Sequence, residues 1–211
     1  MRTPRAAALA GMAFSLLLTV AFVLTRLAVP EEADQPVTEA MRAGLILALN
    51  LLPFAGIAFL WFMGVVRDRI GQREDRFFGT VFLGSGLLFI AMLFATGAIA
   101  GGLVVASGEQ PTPEVWTFGR WVSHTLLTVY AMRMAAVFAI TTSTIVTRLS
   151  LAPRWLTVTG FATGAILLLS VGFIPWVELV FPAWVFALSV HILVVSFRPN
   201  PPEMRAASPV T

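Results

Sequence analysis

The sequence predicts an all-helical membrane bundle of six transmembrane helices, with the N-terminus and the C-terminus both cytoplasmic. Three observations lead to this fold class. The 211 residues are 58% hydrophobic and only 12% charged, whereas a soluble domain is about 45–50% apolar and about 25% charged. Six apolar runs are predicted to be long enough to cross a bilayer, which takes about 20 residues of helix. The arginines cluster between those runs. An ordinary soluble enzyme and a disordered chain are therefore excluded.

The apolar runs define the predicted spans of one transmembrane domain, residues 1–198. The spans cover residues 6–27, 43–66, 77–106, 116–146, 155–177 and 184–197. Helices are expected because a lone span must satisfy its own backbone hydrogen bonds in lipid, and the runs lack the alternation of a barrel strand. The fifth and sixth runs are short, so a re-entrant hairpin is the alternative to two spans. Residues 199–211 are expected to form a flexible cytoplasmic tail.

The arginine distribution predicts the orientation. With the N-terminus inside, ten of the 14 arginines lie on the cytoplasmic side. Three lie outside, namely Arg26, Arg42 and Arg120, and Arg133 lies within a span. This split follows the positive-inside rule, so we expect a multi-pass protein of the bacterial plasma membrane. The formal charge of only +3, set between apolar runs, gives no reason to expect a nucleic-acid partner.

One arginine, Arg133, stands near the middle of the fourth run. Placing a charge there costs about 2.5–3.5 kcal/mol on insertion scales. Tyr130, Thr141 and Thr144 recur on the same helical face, and no acidic residue lies deep in any run. We expect this face to point into the bundle or a wet cavity and to contact a small anionic or polar ligand, with Asn50 as a further candidate. The alternative is that Arg133 caps carbonyls as packing glue.

The remaining polar residues offer little chemistry. His124 and His191 could ligate a haem if their helices faced each other, which is a weak signal. The chain has no cysteine, and the spans lack a nucleophile beside a histidine and a carboxylate. We therefore predict no cofactor, no metal site and no enzymatic activity.

Two GxxxG pairs occur within the runs. Gly97 and Gly101 lie in the third run, and Gly160 and Gly164 lie in the fifth. Such pairs let two helix backbones approach closely. We expect both pairs to be packing surfaces between helices.

The loop between the second and third runs carries a short motif, in which Gly64, Asp68, Arg69, Gly71 and Arg73 stand at defined spacings. This string resembles the GxxxDRxGxR signature of the major facilitator transporters, which occupies the same cytoplasmic loop. The resemblance implies a charge relay that steadies one conformation of a transporter, although six predicted spans stand here in place of twelve. More broadly, the chain looks like the small multi-pass membrane proteins of GC-rich bacteria.

These observations predict that the chain is a multi-pass membrane protein, either transport-like or an accessory subunit, with a polar intramembrane site at Arg133. A scaffold in which Arg133 is packing glue is the alternative, and a haem electron-transfer protein is a weaker one. The expected partners are the lipid bilayer and a small polar or anionic ligand. A homo-oligomer or a larger membrane complex also stays open.

Overall fold

The computed structural model describes residues 3–28, 39–70, 76–106, 112–169 and 174–197, and nearly all of them are helical. The helices are α1 Thr3–Ala28, α2 Glu39–Ile70, α3 Arg76–Ala106, α4 Pro113–Thr125, α5 Met132–Arg148, α6 Arg154–Leu169 and α7 Val180–Phe197. A π-helical turn at Leu126–Ala131 joins α4 to α5 without a break, and a 3₁₀ turn at Val177–Leu179 leads into α7. No described residue forms a strand, so the all-helical prediction is confirmed.

Five helical segments are long and apolar enough to cross a membrane. They are Arg5–Leu27, Glu39–Arg67, Arg76–Leu103, Glu114–Arg148 and Val177–Phe197. The sixth apolar helix, α6, has 16 residues in its described part, Arg154–Leu169. These lengths and compositions fit a membrane protein.

The boundaries of the last two runs differ from those expected. The predicted fifth span continued to residue 177, but α6 ends at Leu169, and the last helical stretch begins at Val177 rather than at residue 184. The fifth run stops short because residues 174–176 form a bend and a turn, and the last helix begins early because Pro182 lies in the first turn of α7. The first N–H groups of a helix have no intrahelical partner, so a proline is tolerated there and does not mark a boundary.

Helices α1 and α7 run antiparallel along their whole length. The Arg5 guanidinium carbon lies 4.4 Å from the centre of the Phe197 ring at one end. At the other end, Arg26 Nη2 lies 3.0 Å from Glu178 Oε1. We call these the Arg5 end and the Arg26 end of the bundle. The start of α1 and the end of α7 therefore both lie at the Arg5 end. Helix α7 and the 3₁₀ turn before it reach from one end of α1 to the other, as expected of a helix that crosses a membrane.

The interior of the bundle is aromatic. Seven phenylalanines from α1, α2, α3, α5 and α7 are fully buried, namely Phe14, Phe59, Phe62, Phe82, Phe89, Phe138 and Phe181. Their rings pack in tilted and edge-on pairs, with centroids 4.5 Å apart for Phe14 and Phe59 and 5.0 Å apart for Phe59 and Phe138. Such interlocking supplies the close packing on which helix association in lipid depends.

The outer surface of the bundle is also apolar. Large hydrophobic side chains are exposed on several helices, including Leu16, Phe54, Leu88, Phe161 and Val194. A soluble globule keeps contiguous exposed apolar patches small. This surface is the one expected of helices that face lipid.

The two GxxxG pairs pack differently. In α6, a Cβ on Gly160 would meet the Ser143 hydroxyl and, at 2.8 Å, the Trp184 ring. A Cβ on Gly164 would meet the Ile140 side chain. In α3, a Cβ on Gly101 would meet only a Leu49 methyl at 3.8 Å, which is ordinary van der Waals contact. The close approach predicted for both pairs is therefore tightest for α6 against α5, whereas in α3 it is limited to Gly97, whose Cβ would lie 3.0 Å from a Leu52 methyl of α2.

Candidate functional site

Arg133 lies on the outside of the bundle, about halfway along the span that α4, the π-helical turn and α5 form together. Arg133 is exposed, and Tyr130, three residues earlier in the helix, is 55% exposed. Arg133 follows Arg120 by thirteen residues and precedes Arg148 by fifteen, or roughly 20 Å along the helix in each direction. The charge is therefore far from both ends of the span and outside the packed interior.

The expectation that this polar face points into the bundle interior is wrong for Tyr130 and Arg133. The opposite stripe of the helix is buried instead, and it is built largely from alanine, at positions that include Ala131, Ala135 and Ala139. Helix α5 packs against α3 and α6, and this packing decides which side of the helix turns inward.

The two threonines of the predicted face do not join Arg133 in one site. Thr141 is buried. Thr144 is half-buried and donates its hydroxyl hydrogen bond to the Ile140 carbonyl at 2.9 Å, within its own helix. The candidate ligand site is thus reduced to the exposed pair of Tyr130 and Arg133.

Arg133 makes no hydrogen bond and no ion pair with any residue that the structure describes. The packing-glue interpretation requires carbonyls or side chains of the same bundle as partners. Among the described residues there is no such partner. Arg133 is therefore an unpaired cation on the outer side of the helix.

The π-helical turn directly precedes Arg133 and contains Tyr130. Within it, the Thr128 hydroxyl donates to the His124 carbonyl at 2.8 Å, which satisfies one carbonyl of the widened turn. Single π turns inside α-helices occur frequently at functional sites. Sequence reasoning missed this turn because neither proline nor glycine lies within it.

Asn50 is not tied to Arg133 by any contact. It is exposed on α2, and its side-chain amide donates to the Ile46 carbonyl at 2.8 Å, one turn earlier in the same helix. That bond satisfies the amide locally. Asn50 therefore stays a candidate by residue type alone.

The two histidines lie toward opposite ends of the bundle. His124 is exposed in the last turn of α4, with its ring 6.3 Å from that of Trp121. It precedes Arg148 by 24 residues, or about 36 Å of helix. His191 lines a groove with Ser150 and Trp155, directly beyond Arg148. The structure does not support a haem held by both histidines, and the described residues form no cluster of three metal ligands.

The loop motif falls largely beyond the part of the chain that can be described. Gly64 is exposed near the end of α2, and a Cβ there would meet no atom within 4 Å. The side chains of Asp68 and Arg69, and all of Gly71 and Arg73, lie outside the described residues. The charge relay stays a prediction.

A second polar cluster, at the Arg26 end, escaped the sequence reasoning. Glu178 is buried, with its side chain 8% exposed, and binds Arg26, whose side chain is 43% exposed. The Arg26 guanidinium carbon also lies 5.8 Å from the centre of the Trp176 ring. Trp176 has φ 67°, a left-handed conformation that costs an ordinary residue roughly 1–2 kcal/mol. Arg26 and Glu178 are 152 positions apart, so no local pattern indicates the pair.

Comparison of the chain with protein-family models, with curated proteins and with solved structures gives no match in any of the three. The class of protein therefore follows from the fold. The described residues form an all-helical bundle in which five helices are long and apolar enough to cross a membrane, and one of these helices carries an exposed charge about halfway along it.

Proposed function

We propose that this chain is an accessory subunit of a membrane complex, which binds its partner sideways within the bilayer through the outer face of α5. The observation that carries the proposal is the exposed, unpaired Arg133 in the middle of a span. A charge in hydrocarbon costs about 2.5–3.5 kcal/mol on insertion scales. A protein partner that covers this face would shield Arg133 from lipid and recover part of that cost.

The interior of the bundle favours this role over transport. Transporter sites lie near the midplane between helices, where broken helices expose backbone to a polar cavity. Here the described interior is filled by phenylalanines, with Phe14, Phe59 and Phe181 within 6.0 Å of one another by ring centroid. We assign no substrate pathway and no catalytic step to this chain.

The proposed setting is the bacterial plasma membrane, with both termini in the cytoplasm. The ten-to-three arginine split supports this orientation. The Arg5 end, where the two terminal helices meet, is then the cytoplasmic end. The Arg26 end, with Glu178, is the outer one.

Photo-cross-linking in intact membranes tests the proposal. A benzophenone amino acid replaces Val137, which lies one turn beyond Arg133 and is half-buried. The matched control replaces Leu16, which is 58% exposed on α1. We expect position 137 to give a protein adduct of discrete mass, which disappears in the Arg133→Leu background, whereas position 16 gives lipid adducts. Lipid adducts alone at both positions would show that the α5 face meets lipid, and the proposal would be wrong.

A further inference from the structure

We infer that the partner presents an aspartate or a glutamate from a transmembrane helix, at the depth of Arg133. The inference rests on the proposed function, since it names the chemistry of the partner that the α5 face binds. Three observations lead to it: the depth of Arg133, the positions of the acidic residues in this chain, and the exposed Tyr130 next to it.

A second copy of this chain cannot supply the carboxylate. The eleven acidic residues are Glu31, Glu32, Asp34, Glu39, Asp68, Glu74, Asp75, Glu109, Glu114, Glu178 and Glu203. None of them lies near the middle of an apolar segment, and the span that contains Arg133 has its single acidic residue at its first position, Glu114. A symmetric pair of copies would instead bring two arginines together at the same depth. The complementary charge must come from a different protein.

A lipid phosphate fits this site less well than a helix does. The hydrocarbon core is about 30 Å thick, so phosphates lie about 15 Å or more from its centre. Arg133 is separated from both flanking arginines, Arg120 and Arg148, by roughly 20 Å of helix. A headgroup would have to be drawn into the hydrocarbon to reach it, whereas a transmembrane helix can carry a carboxylate at any depth.

The exposed pair suits a carboxylate. A guanidinium donates two parallel hydrogen bonds to the two carboxylate oxygens. Tyr130 is exposed beside it, and its phenol can donate a third. On the same side of α5, Val137 is only half-buried. A helix lying along α5 would therefore meet an apolar flank next to the charge.

Binding of synthetic transmembrane peptides tests the inference. The probes are polyleucine helices of about 20 residues with a single glutamate or glutamine at the centre, labelled for energy transfer to the purified full chain in phosphatidylcholine vesicles. We expect the glutamate peptide to bind at least tenfold more tightly than the glutamine peptide. We also expect this preference to vanish when the glutamate is moved to the end of the peptide. Equal binding of the two central peptides would overturn the inference.

Variants of the chain separate Arg133 from the other arginines. Arg133→Gln should abolish the preference for glutamate, and Arg133→Lys should retain a reduced one. Arg120→Gln, which changes an exposed arginine near the end of the same span, should leave it intact. Circular dichroism of each variant checks that the helices are retained. A preference that survives in Arg133→Gln would place the recognition elsewhere and would contradict the inference.

To test whether Arg133 binds lipid headgroups instead, the same experiment is repeated in vesicles that also contain the anionic lipid phosphatidylglycerol. Under the inference, the preference for the glutamate peptide persists when the anionic lipid is present. If the anionic lipid displaces the peptide through Arg133, the residue binds headgroups and the inference is wrong. A protein adduct at position 137 together with no glutamate preference would leave the proposed function standing and remove only the acidic partner.

Discussion

At the scale of single residues, the two members of the Arg26–Glu178 ion pair differ in their exposure to water. Glu178 is buried, while nearly half of the Arg26 side chain stays exposed. A buried charge without its partner leaves an uncompensated desolvation cost. An exposed arginine without its partner is simply hydrated, and exposed pairs contribute little. Removing the exposed Arg26 should therefore cost more stability than removing the buried Glu178, because it is the buried charge that then lacks a partner.

We predict that Arg26→Gln destabilises the protein more than Glu178→Gln does. The first variant leaves a buried carboxylate without its partner, which costs more than the about 1–3 kcal/mol of an unpaired neutral group, whereas the second leaves an arginine that water can reach. Thermal unfolding in detergent measures both, and the double variant should recover part of the loss of Arg26→Gln. Arg42→Gln, an exposed arginine at the start of α2, is the control and should have little effect. An equal or larger loss for Glu178→Gln would contradict the assigned burial.

At the scale of elements, α6 is closely packed against two neighbouring helices. Its glycines place its backbone against α5. The Trp184 indole N–H of α7 donates to the Leu156 carbonyl of α6 at 3.3 Å. An apolar helix of 16 residues is thus held from two sides by its neighbours.

We predict that Gly160→Ala lowers the free energy of unfolding by about 1–3 kcal/mol, because the added methyl group overpacks the contact with Ser143 and Trp184. Gly101→Ala serves as the matched control in the other GxxxG pair. Its Cβ fits at 3.8 Å from Leu49, so it should be neutral or stabilising by up to about 1 kcal/mol through helix propensity. Chemical unfolding in mixed micelles compares the two. Equal losses would mean that both pairs pack alike.

At the scale of the whole molecule, the contact of Arg5 with Phe197 brings the start of α1 and the end of α7 together. The arginine split adds the direction, with this end in the cytoplasm. The sequence contains no cysteine, so single introduced thiols report on topology without background.

We predict that Thr3→Cys and Ser208→Cys are protected from a membrane-impermeant maleimide in intact cells, whereas Gln35→Cys is labelled. All three should be labelled after the membrane is permeabilised, which controls for thiol reactivity. Labelling of both termini but not of position 35 in intact cells would reverse the orientation. Labelling of only one terminus would contradict the antiparallel arrangement of α1 and α7.

The apolar helices and most of their bounds could be predicted because hydropathy is a property of each segment by itself. The first four runs differ from the structure mainly by a few residues at each end. The last two differ more, because a bend and a turn occupy residues 174–176 and because the last helix contains Pro182 in its first turn. Of the candidate site, the depth of Arg133 followed from counting residues, whereas its direction did not.

By itself, the sequence determined the helical class, the division into apolar segments and the absence of a deep carboxylate, since each depends on composition along the chain. The tertiary structure alone decided that Arg133 faces outward, that Arg26 meets Glu178, and that of the two GxxxG pairs the one in α6 makes the tighter contact. These outcomes depend on which stripe of each helix packs best against neighbours far away in the chain. On α5 the buried side includes Ala135, Phe138 and Ala139, and the opposite side, with Arg133, faces outward.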